Sequence, residues 1–187
     1  MKKKSIKSHL SPYSICQKRK TTINHAFASA VAPVDSYDEE RLDAALRLLG
    51  QNPDEELECV YCGARAETWD HLYGLVKAAK LSGYGHQLGN LVPCCKACNS
   101  KKGAKDWEIY LKEIVLGAPT FDEKCKLIIA YRDRYIDCVN SRQSELESLN
   151  DWERYVEIKN KIFDLMRDAD IIAKRLREVG ANGLPVA

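Results

Sequence analysis

Apolar residues recur with a helical period in several stretches of the chain, and short strand-like runs are confined to one block. Leu42, Ala45, Leu46 and Leu49 fall on one face up to Gly50, and Ser36 with Glu39 has capping-box spacing, so a short amphipathic helix is expected there. Trp107, Leu111, Ile114 and Val115 repeat the pattern until Gly117 and Pro119 stop it. Thr120 with Glu123 then predicts a helix start, with Leu127, Ile128, Tyr131, Tyr135 and Cys138 turned inward. A further helix is expected after Asn150, carrying Trp152, Val156, Ile162, Leu165, Met166, Ile172 and Leu176 among many charges. Between the polar turn at 51–55 and about residue 103 the composition shifts to Cys, Gly, Tyr and Trp. There Glu67–Leu72 and Asn90–Val92 read as short strands around a turn-rich 82–89, with a helix from Asn99 onward. Residues 1–34 show no sustained apolar period and read as an arm or loosely ordered extension. The fold class expected is α+β, mostly α, with a small central unit flanked by an N-terminal helix and C-terminal helices. The expected segments are an arm at 1–34, a helix and turn at 35–56, a core at 57–105 and a helical region at 106–187, forming one compact body without an internal repeat.

Composition narrows the class only a little. The 187 residues are 45% hydrophobic, enough for one real core, and no run approaches the roughly 18 apolar residues of a membrane helix. A soluble, cytoplasmic protein is expected. The net charge of +2 is a weak argument for a polyanion partner, but its distribution is uneven. Lys2, Lys3, Lys4, Lys7, Lys18, Arg19 and Lys20 precede the first acid, Asp35, so that end could lie on phosphates or serve as a solubilising tail.

Eight cysteines change the picture more. Four form two C-x-x-C pairs, Cys59/Cys62 and Cys95/Cys98, each tight enough to put two thiolates on one ion, and together they make the tetrahedral set zinc prefers. Cys95, not its neighbour Cys94, has the two-residue spacing to Cys98. Four thiolates leave no open position, so such a zinc would be structural. The 32 residues between the pairs exceed a zinc-ribbon gap, and candidate chemistry sits in that insert. Cys16, Cys94, Cys125 and Cys138 read as ordinary thiols.

Asp70-His71-Leu72, Gly89-Asn90-Leu91-Val92-Pro93 and Cys98-Asn99-Ser100-Lys101-Lys102-Gly103 stand in order beside and between the pairs. Together they resemble the HNH, or ββα-metal, nuclease family over residues 59–103. The resemblance implies a ββα core, His71 as the general base on water, and Asp70 and Asn99 as ligands of one divalent cation. It also implies that Asn90 braces the loop carrying the base. Asn99, where many members have His, favours magnesium or manganese. Tyr73-Gly74 departs from the proline often found after the base, and Leu75–Leu81 could form a helical turn. Adjacent strand residues point to opposite faces, so a bulge or strand end is expected to aim Asp70 and His71 into one site.

Around this centre, His86 could contact the scissile phosphate or orient the site, and Lys101, Lys102 and Lys105 could grip phosphates or form a solvated face. Trp69 is expected to pack beneath the hairpin. His9 and His25 receive no role. The function implied is metal-dependent cleavage of DNA, of restriction or defence type. Alternatives are a nuclease subunit of a larger effector complex, or a zinc-stabilised binding module without catalysis. The C-terminal helices would suit a homodimer or a partner protein.

Overall fold

The computed structural model describes residues 6–115, 118–136 and 145–181. It divides into two units, Met1–Phe27 with Glu147–Ala187, and Ala28–Leu146. The fold is α+β and mostly α: α1 (Ile6–His9), α2 (Ile15–Val31), α3 (Glu39–Leu48), β1 (Thr68–His71), β2 (Val76–Lys77), β3 (Lys80–Leu81), β4 (Leu91–Cys94), α4 (Lys96–Lys102), α5 (Trp107–Ile114), α6 (Ala118–Tyr135) and α7 (Asn150–Ala181). Among the described residues no helix is long and apolar enough to cross a membrane.

The first unit differs most from expectation, because its N-terminal segment is not a loose arm but carries the 17-residue helix α2. Its start is fixed from far along the chain. The Asp170 carboxylate of α7 accepts hydrogen bonds from the Ile15 N–H (2.7 Å), the Cys16 N–H (3.0 Å) and the Ser14 hydroxyl (2.8 Å). Toward the other end of α2 the Tyr155 hydroxyl donates to the Phe27 carbonyl at 2.9 Å, and the two rings lie 5.1 Å apart. The helices therefore run antiparallel. On α7, Ile158, Leu165, Ile172, Leu176 and Val179 are exposed and fall on one stripe.

In the second unit α3 opens at Asp38, whose side chain accepts from the Arg41 N–H, rather than at Ser36. It closes with Gly50 at φ +76°, where Gln51 N–H reaches the Leu46 carbonyl and Gly50 N–H the Arg47 carbonyl, a Schellman arrangement. β1 and β4 form an antiparallel pair with Thr68 opposite Cys94, Trp69 opposite Pro93, Asp70 opposite Val92 and His71 opposite Leu91. Segment 75–81 is not a helical turn but a second hairpin, β2 with β3, whose two-residue loop holds Ala78 and Ala79 at φ +51° and +64°. Positive φ at both loop positions matches the twist of the flanking strands. α6 starts at Ala118, two residues before Thr120, with Pro119 in its first turn, where a missing N–H costs nothing.

The core of this unit joins α3, the cysteine loops, β4, α5 and α6 through Leu49, Tyr61, Leu72, Val92, Trp107, Leu111, Ile128 and Tyr131. Leu127, expected inside, is 40% exposed, and Cys125 takes an inner place instead. Cys94 is buried as well, and Cys16 partly so, whereas Cys138 and Gly117 lie outside the described residues.

Candidate metal centre and the histidine pair

The metal centre is built from two turns. Cys59 to Gly63 folds back on itself, with Cys59 N–H to the Ala64 carbonyl at 2.6 Å, Gly63 N–H to the Cys59 carbonyl at 2.9 Å, and Gly63 at φ +75°. The second pair sits at the start of α4, where Cys95 is the N-cap and its sulfur accepts from the Cys98 N–H at 3.4 Å. The ligand atoms of Cys59, Cys62, Cys95 and Cys98 all lie within 4.8 Å of one another, a group able to hold a metal ion such as zinc.

The surroundings make opposing demands on the thiols. The Cys59 and Cys94 sulfurs lie 3.8 Å apart, and this contact is the largest influence drawing Cys59 down to about 4, toward thiolate. Burial pushes Cys62 up and Cys98 up to about 12. A cation among the four sulfurs removes that conflict by stabilising every thiolate at once. Tyr110 supports the same fit. Its buried hydroxyl has no hydrogen-bond partner of ordinary geometry, yet it interacts with the Cys98 sulfur, which as a metal-bound thiolate would be a proper acceptor.

Beside this centre, β1 separates Asp70 from His71. The β1–β4 ladder runs without a bulge, so alternation sends the two side chains to opposite faces. Asp70 points inward. It is 6% exposed, and its Oδ2 accepts from the Tyr61 hydroxyl at 2.8 Å and faces Lys102 Nζ at 3.1 Å. Burial and the Asp70 charge push the Tyr61 hydroxyl well up, which keeps it a donor. The carboxylate expected to hold a divalent cation is therefore already neutralised by an internal ammonium, and the Asp70/Asn99 pair does not fit that cation. Lys102 is likewise not a phosphate grip: it is 3% exposed and also donates to the His71 carbonyl at 2.7 Å.

Comparison with protein-family models, with curated proteins and with solved structures gave no match for this chain. The site is defined by its own residues.

His71 ends β1, half-buried, with its Nε2 3.1 Å from Nδ1 of His86 and the ring centroids 5.0 Å apart. His86 is thus positioned to orient His71. Its own backbone is pinned by parallel pairing with Val34: His86 N–H donates to the Pro33 carbonyl (2.9 Å), and Asp35 N–H to the His86 carbonyl (3.2 Å). Gly85 is required for that approach, since a Cβ there would stand 2.0 Å from the Pro33 oxygen. Asn90, 1% exposed, braces both loops: its amide donates to the Tyr73 and Gly85 carbonyls at 3.1 and 2.9 Å, and its oxygen accepts from Tyr73 N–H at 2.8 Å. Tyr73 stacks on Tyr84, and its hydroxyl accepts from Trp107 Nε1 and Arg132, which anchors the turn where a proline was absent.

On the face of β1 shared with His71, Trp69 is 41% exposed rather than packed beneath the hairpin. Asn99 lies on α4 with its amide 3.4 Å from the Trp69 carbonyl. Lys101 is exposed, and Lys105 pairs with Glu113 at 2.5 Å on the surface. Sequence reasoning did not single out Tyr61, Tyr110 or the Pro33–Asp35 segment. Only Tyr61, inside a C-x-x-C turn, stood where a signal could have been sought.

Proposed function

We propose that the chain is an endonuclease that hydrolyses DNA phosphodiester bonds, with His71 as the general base. The observation that carries this is the histidine pair. A half-buried imidazole at a strand end, with its Nε2 beside His86 Nδ1 and its carbonyl held by Lys102, is fixed in orientation while part of the residue stays accessible. An imidazole that titrates near neutrality suits removal of a proton from the attacking water. His86 can take up the ring charge that forms, and Asn90 holds both loops at their spacing. Exposed Trp69 offers an aromatic surface for an unstacked base next to the cut. The four cysteines hold zinc in this proposal, as a structural clamp joining the β1–β4 hairpin to α4.

Incubation of the purified chain with supercoiled plasmid, with and without magnesium or manganese, tests the assignment. Cutting is expected, and His71→Ala is expected to slow it by about 10²–10⁴-fold. Equal cutting by the two proteins removes the assignment from this site. Metal analysis should find about one zinc per chain. A second proposal concerns association. The exposed apolar stripe of α7 supports contact with another helical surface, from a second copy or a partner protein, which sedimentation of the chain alone would test.

A further inference from the structure

The two units carry opposite charge. Unit Ala28–Leu146, which holds the cysteines and the histidine pair, has fifteen Lys and Arg against nineteen Asp and Glu. Unit Met1–Phe27 with Glu147–Ala187 has fourteen against eight. A net-negative unit is repelled by a phosphate backbone, and most non-specific DNA affinity comes from neutralising phosphates with Lys and Arg. On the reading of the chain as a DNA endonuclease, affinity must then come mainly from the helical unit.

Within that unit the positive charge is not spread evenly. Several α7 cations are matched along their own helix: Lys161 with Glu157 at 2.8 Å, Arg167 with Asp164, and Lys174 with Glu178 at 3.9 Å. On α2, Lys18, Arg19 and Lys20 are all exposed, and none has an ion-pair partner among the described residues. No acidic residue precedes Asp35. These cations stand in the N-terminal half of α2, a helix with no acidic side chain of its own. The one acid that serves this terminus, Asp170, is occupied with the backbone N–H groups of Ile15 and Cys16. Folding gives no internal reason for three unpaired cations there, whereas an external polyanion does. The same surface offers the exposed hydroxyls of Thr21 and Thr22 and no large exposed apolar side chain on α2, which suits phosphate rather than a lipid interface.

We propose that the N-terminal half of α2, through Lys18, Arg19 and Lys20, is the surface that anchors duplex DNA, so that affinity and chemistry reside in different units. The test is anisotropy of a fluorescent 25-base-pair duplex titrated with the full chain at several salt concentrations, with His71→Ala in every arm so that binding is read without cutting. Replacing Lys18, Arg19 and Lys20 together with Gln, a good helix former, is expected to weaken binding at least about tenfold. The slope of log affinity against log salt should fall by about 2 to 3, near 0.9 for each lost phosphate contact. The comparator is Lys101→Gln with Lys105→Gln in the cysteine-bearing unit, expected to change the slope less. Far-UV circular dichroism should match for all arms. An unchanged slope in the α2 variant, or a larger loss in the comparator, overturns the proposal. So does binding to anionic vesicles in place of the duplex, or equal slopes lost on duplex and single-stranded RNA with the RNA held more tightly. Should plasmid cutting fail while duplex binding still depends on α2, the cleavage assignment falls and this inference stands. Should cutting succeed with binding indifferent to α2, the reverse holds.

Discussion

A carboxylate taken out of water costs several kcal/mol unless an opposite charge and hydrogen bonds accompany it, and Asp70 has both. Tyr61 and Lys102 meet the same oxygen, and Lys102 spends a second proton on the His71 carbonyl, so a three-residue network fixes the strand end that carries His71. Removing either charge alone strands the other in the interior. Asp70→Ala and Lys102→Met are each expected to cost about 3–5 kcal/mol, read from urea unfolding midpoints. The double variant Asp70→Asn, Lys102→Met should cost clearly less than the two together, because no charge is left buried. Single losses under about 1 kcal/mol would show that the pair does not hold the strand. At this scale the sequence was legible in residue identity and partly misleading in role. Asp70-His71 was conspicuous, but strand alternation puts one of the two inside, and which one depends on whether the ladder bulges. Lys102 reads from sequence as one of three surface lysines. It is buried because its helix position, three residues after Asn99, turns it toward β1.

Elements whose ends are set by neighbouring residues were the readable ones. α5, with Asp106 accepting from Glu108 and Ile109 N–H groups, and the body of α3 follow their apolar periods. α2 was missed because its buried positions are small or polar, Asn24 and Ala28, so no apolar stripe announces it, and its cap is supplied 155 residues away in sequence by Asp170. The β2–β3 hairpin was missed for a related reason: Ala78 and Ala79 favour helix locally, and only the strand pairing holds them at positive φ. The α2 cap has a pH signature. Hydrogen bonds from the Ile15 N–H, then those from Cys16 and Ser14, hold the Asp170 carboxyl below its ordinary value of 3.8. A depressed carboxylate contributes stability that is fully present above the unfolded value and is lost as pH falls through the folded one. Helical signal should therefore drop in acid below 3.8 more steeply for the natural chain than for Asp170→Ala, which starts less helical at neutral pH. Superimposable acid titrations by circular dichroism would show that the cap contributes nothing.

For the molecule as a whole, the four cysteines are where a cation would tie two turns of the second unit together. Cys59 and Cys98 belong to its buried cluster together with Tyr61, Val92 and Tyr110, and no disulfide ties the loop of Cys59 to the start of α4. Their spacing made this centre the most legible feature of the chain, because two C-x-x-C pairs need no tertiary information to be recognised. The charge difference between the units was written there too, but it becomes visible only once α7 is known to group with the first 27 residues. Without a cation, Cys62 and Cys98 are pushed up by burial and revert to thiols, and the two turns are then held only by the Val60 N–H to Pro93 carbonyl hydrogen bond and by packing. A structural zinc contributes about 10–16 kcal/mol of apparent binding free energy at neutral pH, comparable with the whole stability of a domain. Stripping the metal with a strong chelator under reducing conditions should therefore abolish amide-exchange protection from Cys59 through Lys102, and zinc should restore it with release of protons. Cys62→Ala, which removes the exposed ligand and leaves the buried packing intact, should reproduce the stripped state without chelator. Protection that survives both treatments would mean that packing of Tyr61, Val92 and Tyr110 alone closes this unit.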